Sequence, residues 1–95
     1  MRKYEVMYIL RPDLDEEQSQ QVNERLQSVI TDANGEIDNF KVMGKRRLAY
    51  EVQKFREGAY YLLNFRATPE TVSEFDRIIK ITEPVIRHLI VKEEV

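Results

Sequence analysis

Lys45, Arg46 and Arg47 stand side by side after Gly44, and Lys54 follows seven residues beyond the last of them, in a chain whose formal net charge is −2. Ammonium and guanidinium groups at this spacing are suited to neutralising phosphates. From Lys41 to Arg56 there are six Lys and Arg against one acid, net +5, while all other residues hold nine against sixteen, net −7. A local cationic footprint on an acidic body fits docking of one surface on a polyanion while the rest stays soluble. The same charges would also protect an exposed β-edge from pairing, and charge alone leaves these two readings level.

Other reactive residue types do not assemble a site. There is no cysteine, and His88 is the one histidine. No serine sits in a glycine elbow, which removes the familiar nucleophile arrangements. Glu16 with Glu17, and Glu93 with Glu94, are carboxylate pairs at element ends; neighbouring helical positions do not face each other, and an acid needs burial to shift its pKa for proton transfer. Gly35, Gly44 and Gly58 are isolated, so neither glycine-rich phosphate loop can form. The expectation is a non-enzyme without cofactor, metal or small-molecule substrate. His88 reads as a packing residue on the face shared by Ile86 and Ile90. Arg87, between Val85 and Leu89, falls on the other face, where a planar donor fork suits phosphate or base recognition; a cross-strand salt bridge to Glu5 explains it equally well.

Ninety-five residues suffice for one core and no second domain, so residues 1–95 are expected to form a single domain. Absence of cysteine fits a reducing compartment, and the start Met1-Arg2-Lys3-Tyr4-Glu5 lacks the apolar region of a secretion signal. The cytoplasm is the expected location, with no membrane partner.

The elements that must carry these residues follow from periodicity. Arg2 to Leu10 alternates as a strand, with Tyr4, Val6, Tyr8 and Leu10 on the core face and Glu5, Met7 and Ile9 on the other. Arg11-Pro12-Asp13 ends it. Asp15 with Gln18 three residues later gives an approximate capping box, followed by Glu16 and Glu17 where a helix N-terminus favours negative charge. Val22, Leu26, Val29, Ile30 and Ala33 recur at helical spacing until Asn34-Gly35 supplies a left-handed terminator. A second strand is predicted from Glu36 to Met43, pausing at Gly44 and resuming from Leu48 to Val52. A turn at Arg56-Glu57-Gly58 leads to a third strand over 59–67, with Tyr61, Leu63, Phe65 and Ala67 on one face and Tyr60, Leu62, Asn64 and Arg66 on the other. Thr68 as N-cap and Pro69 as first helical residue open a second helix with Val72, Phe75, Ile78 and Ile79 as its stripe, ended by Glu83-Pro84. Val85 to Lys92 is a fourth strand, and Lys92 to Val95 a short charged tail.

The order is βαββαβ: an α+β, ferredoxin-like arrangement with two helices on one face of a four-stranded antiparallel sheet. This architecture serves enzymes, sensors and RNA binders alike. Met7, Ile9, Tyr60, Leu62, Leu89 and Val91 would leave the helix-free face apolar, as partner surfaces often are. The third strand lacks the basic-glycine-aromatic run with which RNA-stacking modules of the same strand order place their aromatics.

Gly44-Lys45-Arg46-Arg47-Leu48-Ala49-Tyr50 followed by Lys54 resembles the most recognisable segment of the bacterial small-subunit ribosomal protein S6 family. The opening Met1-Arg2-Lys3-Tyr4-Glu5-Val6, the Arg11-Pro12 break, Gly58 with its following aromatic, and Val85-Ile86-Arg87 ahead of Val91-Lys92 extend the likeness over essentially the whole chain. The resemblance implies a structural protein of the small ribosomal subunit that binds the central domain of the small-subunit ribosomal RNA together with ribosomal protein S18. It also implies RNA-facing or partner-facing cations at Arg2, Lys3, Lys45, Arg46, Arg47, Lys54 and Arg87, and a strand segment near the protein partner at Leu48, Ala49, Tyr50 and Val52. The cations of the first strand and of the second hairpin are expected to converge on one edge. Two other readings stay open on the residues themselves. A ferredoxin-like regulatory or oligomerisation module would pair its open sheet face with another subunit, and a small acylphosphate hydrolase would need an anion-binding loop after the first strand, where Arg11-Pro12-Asp13-Leu14-Asp15 is acidic.

Overall fold

The computed structural model describes residues 1–93, so Glu94 and Val95 of the expected tail lie outside the described residues. The elements run β1 (Arg2–Leu10), α1 (Glu16–Asp32), β2 (Glu36–Val52), β3 (Phe55–Ala67), α2 (Pro69–Ile81) and β4 (Val85–Lys92). Every strand pairing is antiparallel, in the order β2-β3-β1-β4. This is the α+β, ferredoxin-like βαββαβ fold.

Period-two alternation puts Tyr4, Val6, Tyr8 and Leu10 of β1 and Tyr61, Leu63, Phe65 and Ala67 of β3 on one face. There they form one core with Leu26 and Ile30 of α1 and Phe75 and Ile79 of α2. Both helices therefore cover the same side of the sheet. Offset aromatic pairs knit this layer, with ring centroids 5.4 Å apart for Tyr8–Tyr61, 5.7 Å for Tyr4–Phe65 and 5.6 Å for Phe65–Phe75. The Tyr8 hydroxyl is buried but donates a 2.6 Å hydrogen bond to Asn23 Oδ1 of α1.

The helix starts follow their local chemistry. Asp15 Oδ1 accepts from the Gln18 N–H at 2.8 Å and Gln18 Oε1 accepts from the Asp15 N–H at 3.0 Å, closing the capping box. Thr68 caps α2 through the Thr71 N–H, with Pro69 at the first helical position. At the end of α1 the left-handed residue is Asn34, φ 66°, and not Gly35. Gly35 is required by contact instead: a Cβ there would lie 2.6 Å from Ile30 Cγ2 and 2.9 Å from the Arg66 carbonyl oxygen.

Three features of the sheet depart from the sequence reading. β2 does not pause between Gly44 and Leu48; it runs unbroken to the expected end at Val52, with a register shift between Val42 and Gly44 and others between Ile37 and Asn39 and between Arg47 and Val52. The turn is Gln53-Lys54, both at positive φ (50° and 70°) between the facing pair Val52 and Phe55, so Arg56, Glu57 and Gly58 lie in β3. A further shift between Ile9 and Leu10 against β4 breaks the alternation there. Ile86 consequently packs with Ile9 and Leu48 on the helix-free side instead of sharing a face with His88. His88 instead reaches α2, with Nε2 2.9 Å from Asp76 Oδ1.

Candidate nucleic-acid interface

Leu10 facing Ala59 is the last row at which β1 pairs with β3. Beyond it β3 has only β2 beside it, through Arg46–Gly58, Arg47–Glu57 and Val52–Phe55. Residues 45–58 thus form a two-stranded arm past the end of the sheet. A free two-stranded ribbon is marginal in water, and the arm is anchored by a second small core: Leu48, 8% exposed, packs with Ile9 and Ile86, and Val52, Phe55 and Tyr60 close around them. Gly58 allows the close approach, since a Cβ there would lie 2.3 Å from Ile9 Cγ2.

Two guanidinium groups clamp the arm from outside. The Arg87 guanidinium of β4 lies 5.0 Å from the centroid of the Tyr50 ring, and that of Arg11 lies 5.6 Å from the Phe55 ring. The register sets Arg87 opposite Ile9 and Glu5 opposite Val91, so the alternative salt bridge from Arg87 to Glu5 does not form. Glu5 accepts a 3.0 Å hydrogen bond from Asn64.

The cations divide by pairing and by place. Arg2, Lys3, Arg25, Arg87 and Lys92 make no ion pair among the described residues but lie on β1, α1 and β4, and four cations are neutralised: Arg66 pairs with Glu36 at 2.6 Å and Asp38 at 3.0 Å, Arg11 with Asp13 at 2.9 Å, Lys80 with Asp76 at 2.8 Å, and Arg77 with Glu74. These contacts hold Asp13 and Glu74 below the ordinary carboxylate range, chiefly through the hydrogen bonds from Arg11 and Arg77. By contrast, Lys41, Lys45, Arg46, Arg47, Lys54 and Arg56 are exposed and make no ion pair among the described residues.

Of the residues singled out in the sequence, the structure brings Lys45, Arg46, Arg47 and Lys54 together on the arm and sets Arg87 against Tyr50 at its base. Arg2 and Lys3 do not join them. They face Ala67 and Arg66 at the opposite end of the sheet, about 20–25 Å from the Ile9–Arg87 row at the rise of a β-strand. A β-strand that crosses the whole sheet cannot have both its ends at one rim, which corrects the expected convergence. The strand segment assigned to a protein partner also divides. Ala49 and Tyr50 are exposed, whereas Leu48 is buried and Val52 half-buried in the small core. Arg56 and Lys41 were inside the charged stretch without being singled out, and the count of unbalanced charge was the signal that contained them. Arg11 at the arm's foot had no such signal, because its contact with Phe55 depends on the position of the turn.

Beside the clamp, Met7, Ile9, Tyr60, Arg87 and Leu89 line an open hollow of about 250 Å³ on the helix-free face, with Leu89 and Val91 exposed. The composite is a cationic arm continuous with an apolar sheet surface. The ribosomal protein S6 family model matches residues 3–92 of the chain.

The chain belongs to the ribosomal protein S6 family. It is similar to the 30S ribosomal protein S6 of Thermotoga maritima, whose crystal structure matches with a TM-score of 0.91 at 33% identity, over 97% of this chain and 87% of that one. A protein from Arabidopsis thaliana matches with a TM-score of 0.58 at 8% identity, over 100% of this chain and 95% of that one, and shares the fold alone. As an S6-family member the chain has a structural role in the small subunit of the bacterial ribosome.

Proposed function

We propose that this S6-family chain binds the central domain of the small-subunit ribosomal RNA through the arm, and that ribosomal protein S18 docks beside it on the helix-free face. One observation carries the reading: six cations without an ion pair among the described residues stand in the single stretch from Lys41 to Arg56 with one acid among them, whereas the other unpaired cations are spread over β1, α1 and β4. Placing unpaired charges together costs folding energy through repulsion, and an RNA backbone removes that repulsion on binding. Lys45, Arg46, Arg47 and Lys54 take phosphates, with Arg87 beside them at the base of the arm. Arg2 and Lys3 make a separate contact at the far end of the sheet. Leu48 and Val52 act from below by holding the arm in place, and Ala49 with the Leu89 and Val91 patch faces S18. The role is assembly, without a catalytic step.

The test is footprinting of a central-domain RNA fragment, with and without S18, at two salt concentrations. The reading expects protection that weakens at higher salt, strengthens with S18, and is lost on Arg46→Ala with Arg47→Ala while the thermal midpoint stays in place. Protection indifferent to salt and to both arginines contradicts it.

A further inference from the structure

Tyr50 differs from the tyrosines that fill the core. Tyr4, Tyr8 and Tyr61 are buried against other aromatic rings, whereas Tyr50 is 60% exposed and has no aromatic neighbour among the described residues. Its close ring contact is the Arg87 guanidinium, 5.0 Å from the centroid. A cation fixed against one part of an exposed ring restrains its rotamer and leaves the remaining surface presented, which lowers the ordering cost of stacking something on it. Next to the ring is a hollow of about 360 Å³, lined also by Arg47, Leu48, Glu51, Arg56 and Glu57.

We infer that this hollow seats one unpaired RNA base, stacked on Tyr50. The inference rests on the RNA-binding reading above. Two carboxylates, Glu51 and Glu57, share the lining, so a phosphate inside the hollow would meet like charge. The backbone is therefore directed to Lys45, Arg46 and Lys54 outside it, and the neutral base turns inward. Arg47 and Arg56, in the same lining and without an ion pair among the described residues, supply planar donors to the base edge or the adjoining phosphate. Stacking on an aromatic ring accepts any base and requires it to be out of a duplex. This assigns Tyr50 to RNA and leaves the protein partner to the apolar face beyond Arg87. The cation density around the ring favours this occupant over an apolar protein side chain.

The chain contains no tryptophan, so Tyr50→Trp introduces a single indole whose emission reads the hollow. Titration with a short single-stranded oligoribonucleotide, and with the central-domain RNA fragment, is expected to quench that emission, while the matched duplex leaves it unquenched at equal occupancy. On the central-domain fragment, Tyr50→Leu is expected to raise Kd about tenfold without changing the slope of log K against log salt, because no phosphate contact is removed. Tyr50→Phe, which keeps the ring face, leaves Kd unchanged and shows that any loss is not a loss of fold. Bound RNA with unquenched indole emission, quenching that appears only when S18 is added, or an unchanged Kd for Tyr50→Leu overturns the base seat alone. Failure of the unsubstituted chain to bind the fragment overturns the seat and the RNA-binding reading together.

Discussion

Arg87 and Tyr50 belong to strands at opposite edges of the sheet, β4 and β2, yet the guanidinium of one lies 5.0 Å from the ring centroid of the other. The contact closes across the helix-free face and joins the arm to the edge that β2 does not border. A double-mutant cycle with Arg87→Ala and Tyr50→Leu should give a coupling of about 0.5–1 kcal/mol in urea unfolding, the size of an exposed cation–π contact. Additive losses would show that the two groups are merely near each other.

Gly58 in the arm and Gly44 just before it act by different physics, and substitution should separate them. At Gly58 an added Cβ meets Ile9 Cγ2 at 2.3 Å and the Leu10 carbonyl oxygen at 3.1 Å, so Gly58→Ala should lower stability by roughly 1–3 kcal/mol through overpacking. At Gly44 nothing lies within 4 Å, but φ is +88°, so Gly44→Ala should cost about 1–2 kcal/mol through backbone strain. Urea midpoints check both. Replacing Ile9 by Ala should relieve part of the Gly58→Ala loss and none of the Gly44→Ala loss.

Acid should weaken the link between α2 and β4. Asp76 is held below the ordinary carboxylate range, first by the hydrogen bond from Lys80 and then by that from His88. A carboxyl whose folded pKa is lowered contributes stability that is present above its unfolded pKa and lost as pH falls through the folded one. The stability gap between the unsubstituted chain and Asp76→Asn should therefore be present at neutral pH and close in acid below the usual carboxylate range. It should be at most about 1 kcal/mol and shrink with salt, since Asp76 is over a third exposed. A gap of constant size across this range would assign the effect to packing.

The Tyr8 hydroxyl is the buried polar link between sheet and α1. Burial pushes its pKa well above the ordinary phenol value, and Tyr8→Phe leaves the buried Asn23 carbonyl oxygen without its 2.6 Å donor. The expected loss is about 1–3 kcal/mol in urea unfolding, the cost of an unpaired buried polar group. Tyr8→Phe with Asn23→Leu should recover part of it.

Much of this organisation is legible in the residues. β1 and β3 alternate without interruption where they pair, so their faces could be read before the fold, and Asp15, Gln18, Thr68 and Pro69 mark the helix starts by type and spacing. What was hidden came from irregular backbone. Gln53-Lys54 carries neither glycine nor asparagine, so a tight turn with two positive φ angles leaves no signature. The register shift beside Ile9 turned Ile86 to the helix-free side, and the misplaced turn concealed that Leu48 is sunk beneath the arm. The remoteness of Arg2 and Lys3 from the arm is a consequence of strand length, which a list of cations does not express.

The salt dependence of RNA affinity addresses the cationic arm most directly. For a central-domain RNA fragment with S18 present, log K should fall linearly with log salt, and Arg46→Ala with Arg47→Ala should reduce the steepness by about 1.4–1.8, roughly 0.7–0.9 for each phosphate contact removed. The unfolding free energy from urea titration should stay within about 0.5 kcal/mol of that of the unsubstituted chain, as for exposed side chains without partners. A slope unchanged by the loss of both arginines would contradict phosphate binding by the arm.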